Sequence, residues 1–121
     1  MIRNKTGIWG EIYTARYLRD KGCDILGSNF KCRFGEVDII ASQGKNMFIV
    51  EVKTRDESTS VRPMEAVDVN KRERLEKTAQ VFIKASGLTD LQPRFDVAEV
   101  YLNKEYELVS LNYIENAFHI E

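Results

Sequence analysis

The sequence predicts an α/β protein in which helices flank a central mixed five-stranded sheet, in the order α-β-β-β-α-β-β. Apolar residues recur at helical spacing in two segments, one near the N-terminus and one after residue 68. The other segments are short runs of β-branched and apolar residues, separated by turn-forming residues. Because a helix separates the third run from the fourth, these two strands can be parallel, with the helix as their crossover.

Length and composition set broad limits on function. With 121 residues, the chain is predicted to form one domain, residues 1–121. A net charge of −1 argues against a strongly basic nucleic-acid binder, so a nucleic-acid site would have to be a local basic patch. The chain has no long apolar run, and its first residues lack the apolar segment of a signal peptide, so we expect a cytoplasmic protein without a membrane partner. In that compartment Cys23 and Cys32 are expected to be reduced.

The first helix is predicted to begin at Thr6 or Gly7 and to end at Gly22. Its inward-facing residues are predicted to be Ile8, Ile12, Ala15 and Leu18. Glu11 falls on the same face of this helix, where a carboxylate is costly unless it is paired or binds a metal. Pairing with Arg16 or Arg19 at the margin of the face is the alternative.

The segment 25–33 is predicted to be a weak first strand, with Lys31 and Arg33 on one face. These two side chains lie just before the predicted hairpin that begins at residue 35 and are candidates for phosphate contacts. A solvated strand edge explains them equally well, because lysine at an edge opposes aggregation.

The segments 35–40 and 48–55 are predicted to form an antiparallel hairpin that brings Asp38 close to Glu51 and Lys53. Alternation along the first strand predicts that Val37, Ile39 and Ala41 share one face. The turn decides the register: a two-residue turn at Gln43-Gly44 pairs Asp38 with Ile49, and a longer turn pairs it with Glu51. Both arrangements keep the two carboxylates within reach of one ion.

Two carboxylates and one ammonium interrupt these otherwise apolar strands. Mg²⁺ or Mn²⁺ prefers oxygen ligands, and one or two carboxylates with water and substrate phosphate suffice. Lys53 could position a water or offset charge developing on a phosphate. The residues therefore suggest metal-dependent cleavage of phosphodiester bonds, although an acidic-x-Lys triplet is weak evidence and a solvated hairpin face also carries charges.

The polar segment 55–65 is predicted to be a loop, either a substrate flap or a plain surface connection. Asp68 is a suitable N-cap for a second helix that ends near Ser86. Its buried side is predicted to consist of Leu75, Ala79, Phe82 and Ile83. Lys71 lies in its basic first turn, which opposes the helix dipole and therefore suggests a phosphate contact. An exposed basic turn balanced by Glu73 and Glu76 is the alternative. Segments 95–102 and 106–111 are predicted as the last strands, followed by a helical turn within 113–118.

Several of these motifs resemble those of the YraN family of small bacterial proteins. The matching segments are Gly7-x-x-Gly10-Glu11, Gly35-Glu36-Val37-Asp38, Val50-Glu51-Val52-Lys53-Thr54-Arg55, Arg94-Phe95-Asp96-Val97 and Asn116-Ala117-Phe118. That family is in turn similar to the restriction-endonuclease-like nucleases with the PD-(D/E)xK motif, in particular the archaeal-type Holliday-junction resolvases. The proline of that motif is absent, since Glu36-Val37 precedes Asp38.

The resemblance implies a restriction-endonuclease-like fold and a Mg²⁺- or Mn²⁺-dependent DNA endonuclease, with branched or damaged DNA among its candidate substrates. It places Glu11 beside the metal with Asp38 and Glu51, the Val52 carbonyl as a further ligand and Lys53 as a catalytic residue. Lys71, Arg55, Lys31 and Arg33 are the expected nucleic-acid contacts. A resolvase-like activity would favour a homodimer. The alternative is a nucleic-acid-binding or protein-interaction module that has the fold without cleavage.

Overall fold

A computed structural model describes residues 4–56 and 69–117. Its elements are α1 (Lys5–Asp20), β1 (Asp24–Cys32), β2 (Gly35–Gln43), β3 (Asn46–Asp56), α2 (Val69–Ser86), β4 (Gln92–Leu102) and β5 (Leu108–Ile114). The strands form one sheet in the order β1-β2-β3-β4-β5, in which β3 and β4 are parallel and the other neighbours are antiparallel. The predicted α/β class and order of elements are confirmed, and they are consistent with a restriction-endonuclease-like arrangement.

The parallel pair lies at the centre of the sheet and requires a crossover connection. Helix α2 belongs to that connection, and β3 and β4 stay in register from Asn46 opposite Gln92 to Asp56 opposite Leu102. The carboxyl ends of both strands consequently lie at the same edge of the sheet. Glu51 and Lys53 belong to the half of β3 that approaches this edge.

The two helices cover opposite faces of the sheet, and each face has its own core. The core on the α1 side contains Leu18, Cys23, Ile39, Ala41, Phe48, Val50, Ala98, Val100 and Leu102. The core on the α2 side contains Val37, Ile40, Met47, Ile49, Leu75, Ala79, Ile83 and Val97. The predicted buried side of α2 is therefore confirmed, with Phe82 partly buried beside it.

Helix α1 turns a different face to the sheet from the one predicted. Its buried residues are Gly10, Thr14 and Leu18, whereas Ile8 is 39% exposed. The small residues allow close approach, and the Thr14 hydroxyl is satisfied because it donates to the Gly10 carbonyl at 2.8 Å. Apolar spacing alone missed this face because its contact residues are not large and apolar.

Strict alternation along β2 is also wrong at one point. Val37 packs on the α2 side, whereas Ile39 packs on the α1 side. On the neighbouring strand, Asn29 adopts the left-handed conformation with φ +54. The register pairs Phe30 with Val37 and Ser28 with Ile39, so this irregularity lies directly beside Asp38.

The last strand differs from its predicted range. β5 begins at Leu108 because Asn103 forms the preceding turn, its side-chain oxygen accepting from the N–H groups of Glu105 and Glu107 at 2.9 Å each. Tyr106 lies in this turn with φ +63. Tyr113 belongs to β5, so the predicted helical turn does not begin there.

The fully buried Asp96 carboxylate joins β4 to the end of the described chain. Arg94 donates to both of its oxygens at 2.9 Å, and the Tyr113 hydroxyl donates to Oδ2 at 2.6 Å. The Asn116 main-chain N–H donates to Oδ1 at 2.8 Å. These bonds give Asp96 a structural role and bring the Arg94-Phe95-Asp96 and Asn116-Ala117 segments together.

Some predictions fall wholly or partly outside the described residues. They concern the N-cap at Asp68, residues 57–65 of the predicted loop and the tail from Phe118 onward. Arg55 and Asp56, the first two residues of the predicted loop 55–65, belong to β3. Cys23 and Cys32 are free thiols, as expected.

Candidate metal and nucleic-acid site

The site begins where β2 and β3 separate. Their described pairing ends with Ile39 opposite Val50, although the same register would place Asp38 opposite Glu51. Instead of continuing the main-chain pairing, Asp38 Oδ2 accepts a hydrogen bond from the Val52 N–H at 2.7 Å. The register places the two carboxylates opposite each other, which is one of the two expected pairings. The turn that produces it has only two residues, Gly44 and Lys45, so the longer turn expected for this pairing is wrong.

Glu51 lies on β3 and is 8% exposed. Two ammonium groups contact the same oxygen of this side chain: Lys71 Nζ lies 2.7 Å from Oε1, and Lys53 Nζ lies 3.2 Å from it. Lys53 is on the same strand, two residues away, whereas Lys71 reaches across from α2. The structure therefore brings Glu51, Lys53 and Lys71 together.

Glu11 approaches this region from α1. The neighbouring Gly10 lies so close to β3 that a Cβ atom there would stand 1.8 Å from Thr54 Oγ1. This contact fixes Glu11 beside the strand that carries Glu51. From β1, Asn29 Nδ2 donates to Glu11 Oε1 at 3.1 Å, so the irregularity of that strand also orients the carboxylate.

A cavity of about 310 Å³ collects most of the predicted site residues. It is lined by Asn4, Thr6, Gly7, Glu11, Asp38, Glu51, Val52, Lys53, Thr54 and Arg55. A second cavity of about 220 Å³ adjoins Asp38 and Glu51 beside α2 and is also lined by Lys71 and Arg74. Asp38 and Glu51 therefore border both cavities.

The pKa values reflect burial and charge within this cluster. Burial and the nearby Glu51 carboxylate raise the pKa of Asp38 to about 6, although the hydrogen bond from Val52 opposes the shift. Burial lowers the pKa of Lys53, and Lys71 lowers it further, against the opposing effect of Glu51. Burial also acts to lower the pKa of Lys71, but its hydrogen bonds and the two carboxylates outweigh burial and raise it.

The donor set suits a hard divalent cation. Among residues 4–56 and 69–117, no three His, Cys, Asp or Glu side chains lie close enough together to hold an ion. Asp38 and Glu51 form a pair, and one or two carboxylates are what Mg²⁺ normally takes from a protein, with water and phosphate completing its shell. Burial and the Glu51 carboxylate raise the pKa of Asp38, so a cation beside this pair would stabilise its charged form. Glu11 lines the same cavity, and its role as a ligand stays a prediction.

The predicted basic contacts divide into two groups. Arg55 lines the larger cavity, and Lys71 lines the smaller one. Lys31 and Arg33 are exposed on and just after β1 and line neither of these cavities. The Arg33 guanidinium lies over the Phe34 ring at 4.7 Å, which gives it a local packing role.

Three residues that build the site have no role predicted from the sequence. Gly10 and Thr54 set the distance between α1 and β3, and Asn29 holds Glu11. The glycine pair spaced three apart in a predicted helix was an available signal, because glycine weakens a helix unless a close contact requires it. The Gly27-Ser28 pair before Asn29 similarly indicates an irregular strand.

The fold and site define an α/β protein with paired carboxylates at the separation of two central strands. Comparison with known proteins matches residues 10–100 to the family described as "Uncharacterised protein family UPF0102". The chain belongs to this family, and the expected YraN membership is confirmed.

The relatives match over nearly their whole lengths. The UPF0102 protein of Caldanaerobacter subterraneus subsp. tengcongensis is 47% identical over 119 residues, which cover 97% of this chain and 98% of the relative. The relative from Caldicellulosiruptor saccharolyticus is 39% identical, with 98% and 100% covered, and that from Clostridium acetobutylicum is 41% identical, with 98% of each covered. None of the helices in the described part of the chain has the length and apolar character to cross a membrane.

Proposed function

We propose that this protein is a Mg²⁺- or Mn²⁺-dependent DNA endonuclease. The observation that carries the proposal is the shared cavity of Glu11, Asp38, Glu51 and Lys53, which come from one helix and two strands. Their carboxylates match the ligand preference of a hard cation, and Lys53 adds a positive charge beside them. A cavity that collects titratable groups with shifted pKa values is a reasonable active-site candidate.

Each residue has a distinct role in this proposal. Asp38 and Glu51 would bind the cation, with the Val52 carbonyl and Glu11 as further oxygen donors. A cation bound there would lower the pKa of a water and polarise the phosphate. Lys53, held within 3.2 Å of Glu51, would stand beside the phosphate and offset its developing charge as water adds to phosphorus and the bond to the leaving sugar oxygen breaks.

DNA is the proposed partner, with branched or damaged DNA among the substrates to test. Arg55 and Lys71 border the two cavities and would contact backbone phosphates. A homodimer would suit cleavage of a symmetric junction. We place this activity in the cytoplasm.

A non-catalytic DNA-binding module is the second candidate, and one observation favours it. Two lysines contact Glu51 in this structure, so part of the cluster is neutralised without a metal. Such a protein would bind DNA through the same cavities but leave its phosphodiester bonds intact.

Cleavage of linear, flapped and four-way DNA in Mn²⁺ distinguishes the two candidates. The wild-type protein should cleave at least one of these substrates, whereas Asp38→Asn and Lys53→Met should not. Asp24→Asn is the matched control, because Asp24 is an exposed carboxylate at the far end of β1. Binding without cleavage of any substrate would favour the second candidate, and cleavage by Asp38→Asn at the wild-type rate would refute the proposed site.

A further inference from the structure

Two ammonium groups occupy one oxygen of Glu51. Lys53 and Lys71 both lie within 3.2 Å of Glu51 Oε1, and the Glu51 side chain is 10% exposed. Asp38 is the second carboxylate of the cluster and also acts on Lys71. Two lysines thus stand against two carboxylates, so the negative charge of Glu51 already has cationic partners before any metal binds.

This arrangement opposes a divalent cation at the same carboxylate. A metal beside Glu51 would stand close to both ammonium groups, whichever oxygen it used, and like charges in a poorly solvated place repel strongly. Binding of the metal would be easier if one lysine moved away. The structure identifies which one can move.

Lys71 is the better candidate for movement. Its side chain is 26% exposed, against 13% for Lys53, and it borders the open cavity beside α2 with Arg74. Lys53 lies on β3 itself, opposite Glu99 on β4, whereas Lys71 reaches Glu51 from α2.

We propose that Lys71 is a gate that couples DNA binding to metal binding, an inference that depends on the proposed function. In the free protein Lys71 neutralises Glu51 and competes with the cation. A backbone phosphate at the cavity beside α2 offers Lys71 another anion and draws it from Glu51, so metal affinity rises when DNA is bound. By linkage, metal must then strengthen DNA binding by the same factor.

Calorimetric titration of Mn²⁺ tests the gate directly. Without DNA, Lys71→Met should bind Mn²⁺ about tenfold more tightly than wild type, a usual size for coupling between two sites. Lys77→Met is the matched control, because Lys77 is a lysine on the same helix that contacts the Phe34 ring at 5.6 Å. A short DNA duplex with phosphorothioate linkages should tighten Mn²⁺ binding to wild type and to Lys77→Met, but hardly to Lys71→Met.

The possible outcomes separate the two proposals. Equal or weaker Mn²⁺ binding by Lys71→Met, while wild type binds Mn²⁺, would overturn the gate and leave the metal site standing. No Mn²⁺ binding by any of the proteins, with or without DNA, would overturn the metal site and the gate with it. If Lys71→Met does not fold, the wild-type protein still decides: its DNA affinity must rise with Mn²⁺, and an unchanged affinity would refute the gate.

Discussion

Two aspartates of the sheet show how one residue type serves different purposes. Asp96 is fully buried and accepts hydrogen bonds from Arg94, Tyr113 and the Asn116 main chain. Asp38 accepts one from the Val52 N–H and faces Glu51, and its burial together with the Glu51 carboxylate raises its pKa. The first arrangement satisfies a charge, whereas the second leaves a charge that costs free energy. The same substitution should therefore have opposite effects at the two positions.

Asp38→Asn should not destabilise the metal-free protein at neutral pH. The folded pKa of about 6 lies above the unfolded value, so the folded state binds this proton more tightly. For wild type, the contribution of Asp38 to the free energy of unfolding consequently falls as pH rises from about 4 to 6. In thermal melts with chelator, the melting temperature of Asp38→Asn relative to that of wild type should rise between pH 4 and pH 7. The rise should be about 4 °C for each kcal/mol of change in the free energy of unfolding.

Two further results bear on Asp38. Excess Mn²⁺ should raise the melting temperature of wild type much more than that of Asp38→Asn, because only the native site binds the ion. A variant that melts several degrees below wild type in chelator at both pH values would mark Asp38 as a structural residue and remove the main physical support for the metal site.

Asp96→Asn should destabilise the protein by about 2 to 3 kcal/mol, because it leaves the Arg94 charge without its carboxylate. This expected loss of stability is smaller than that for a fully buried ion pair, because Arg94 is partly exposed. Urea unfolding measures the change, with Asp24→Asn as the control that should stay near wild type. A cost under about 0.5 kcal/mol, the usual range of surface substitutions, would contradict the structural role of Asp96.

At the scale of elements, one contact between α1 and β3 determines where the site forms. Gly10 brings the helix against Thr54, and Glu11 follows it in sequence. Helix packing and the position of the predicted metal ligand Glu11 therefore both depend on the absence of a side chain at Gly10. A larger residue at this position would force the helix and strand apart.

Gly10→Ala should destabilise the protein by about 1 to 3 kcal/mol, because the new methyl group would overlap Thr54. Gly7→Ala is the matched control in the same helix. A Cβ there meets only the Asn4 side chain, at 3.3 Å, and alanine favours a helix. Thr54→Ala should recover part of the loss in the double variant, since it removes the two outer atoms of the clash. Equal stability of the two glycine variants would show that the contact is not restrictive.

The elements also show where sequence patterns suffice and where they fail. Periodicity predicted both helices, all five strands and the meeting of Asp38 with Glu51, because large apolar residues fill the cores that position these elements. It missed the buried face of α1 because Gly10 and Thr14 lie there as small residues that let the helix approach the sheet, and they are not large and apolar. It also missed the change of face between Val37 and Ile39, which lies beside the left-handed Asn29 of β1 and which apolar alternation does not indicate.

At the scale of the whole molecule, the net charge of −1 limits how DNA can bind. The basic residues that line the two cavities are Lys53, Arg55, Lys71 and Arg74. A small number of phosphate contacts predicts a modest dependence of affinity on salt. Binding would then depend on the fit of a particular DNA structure more than on general attraction to the backbone.

The logarithm of DNA affinity should fall with the logarithm of salt concentration with a slope of about −2 to −4. Arg55→Gln should reduce the steepness by about one contact, because Arg55 lines the larger cavity. Arg33→Gln should leave it unchanged, since Arg33 lies over Phe34 and outside both cavities. Fluorescence anisotropy at several salt concentrations measures these slopes, and equal effects of the two substitutions would place the DNA path elsewhere.

The hydrogen bond from the Val52 amide to Asp38 gives the molecule an internal spectroscopic reporter. The main-chain proton of Val52 points at a carboxylate rather than at a carbonyl of β2. In a nuclear magnetic resonance spectrum, its signal should move as Asp38 gains or loses its proton and should respond again when an ion takes the carboxylate. One amide resonance thus follows the ionisation and the occupancy of the site without any nucleic acid or any label inside the cavity.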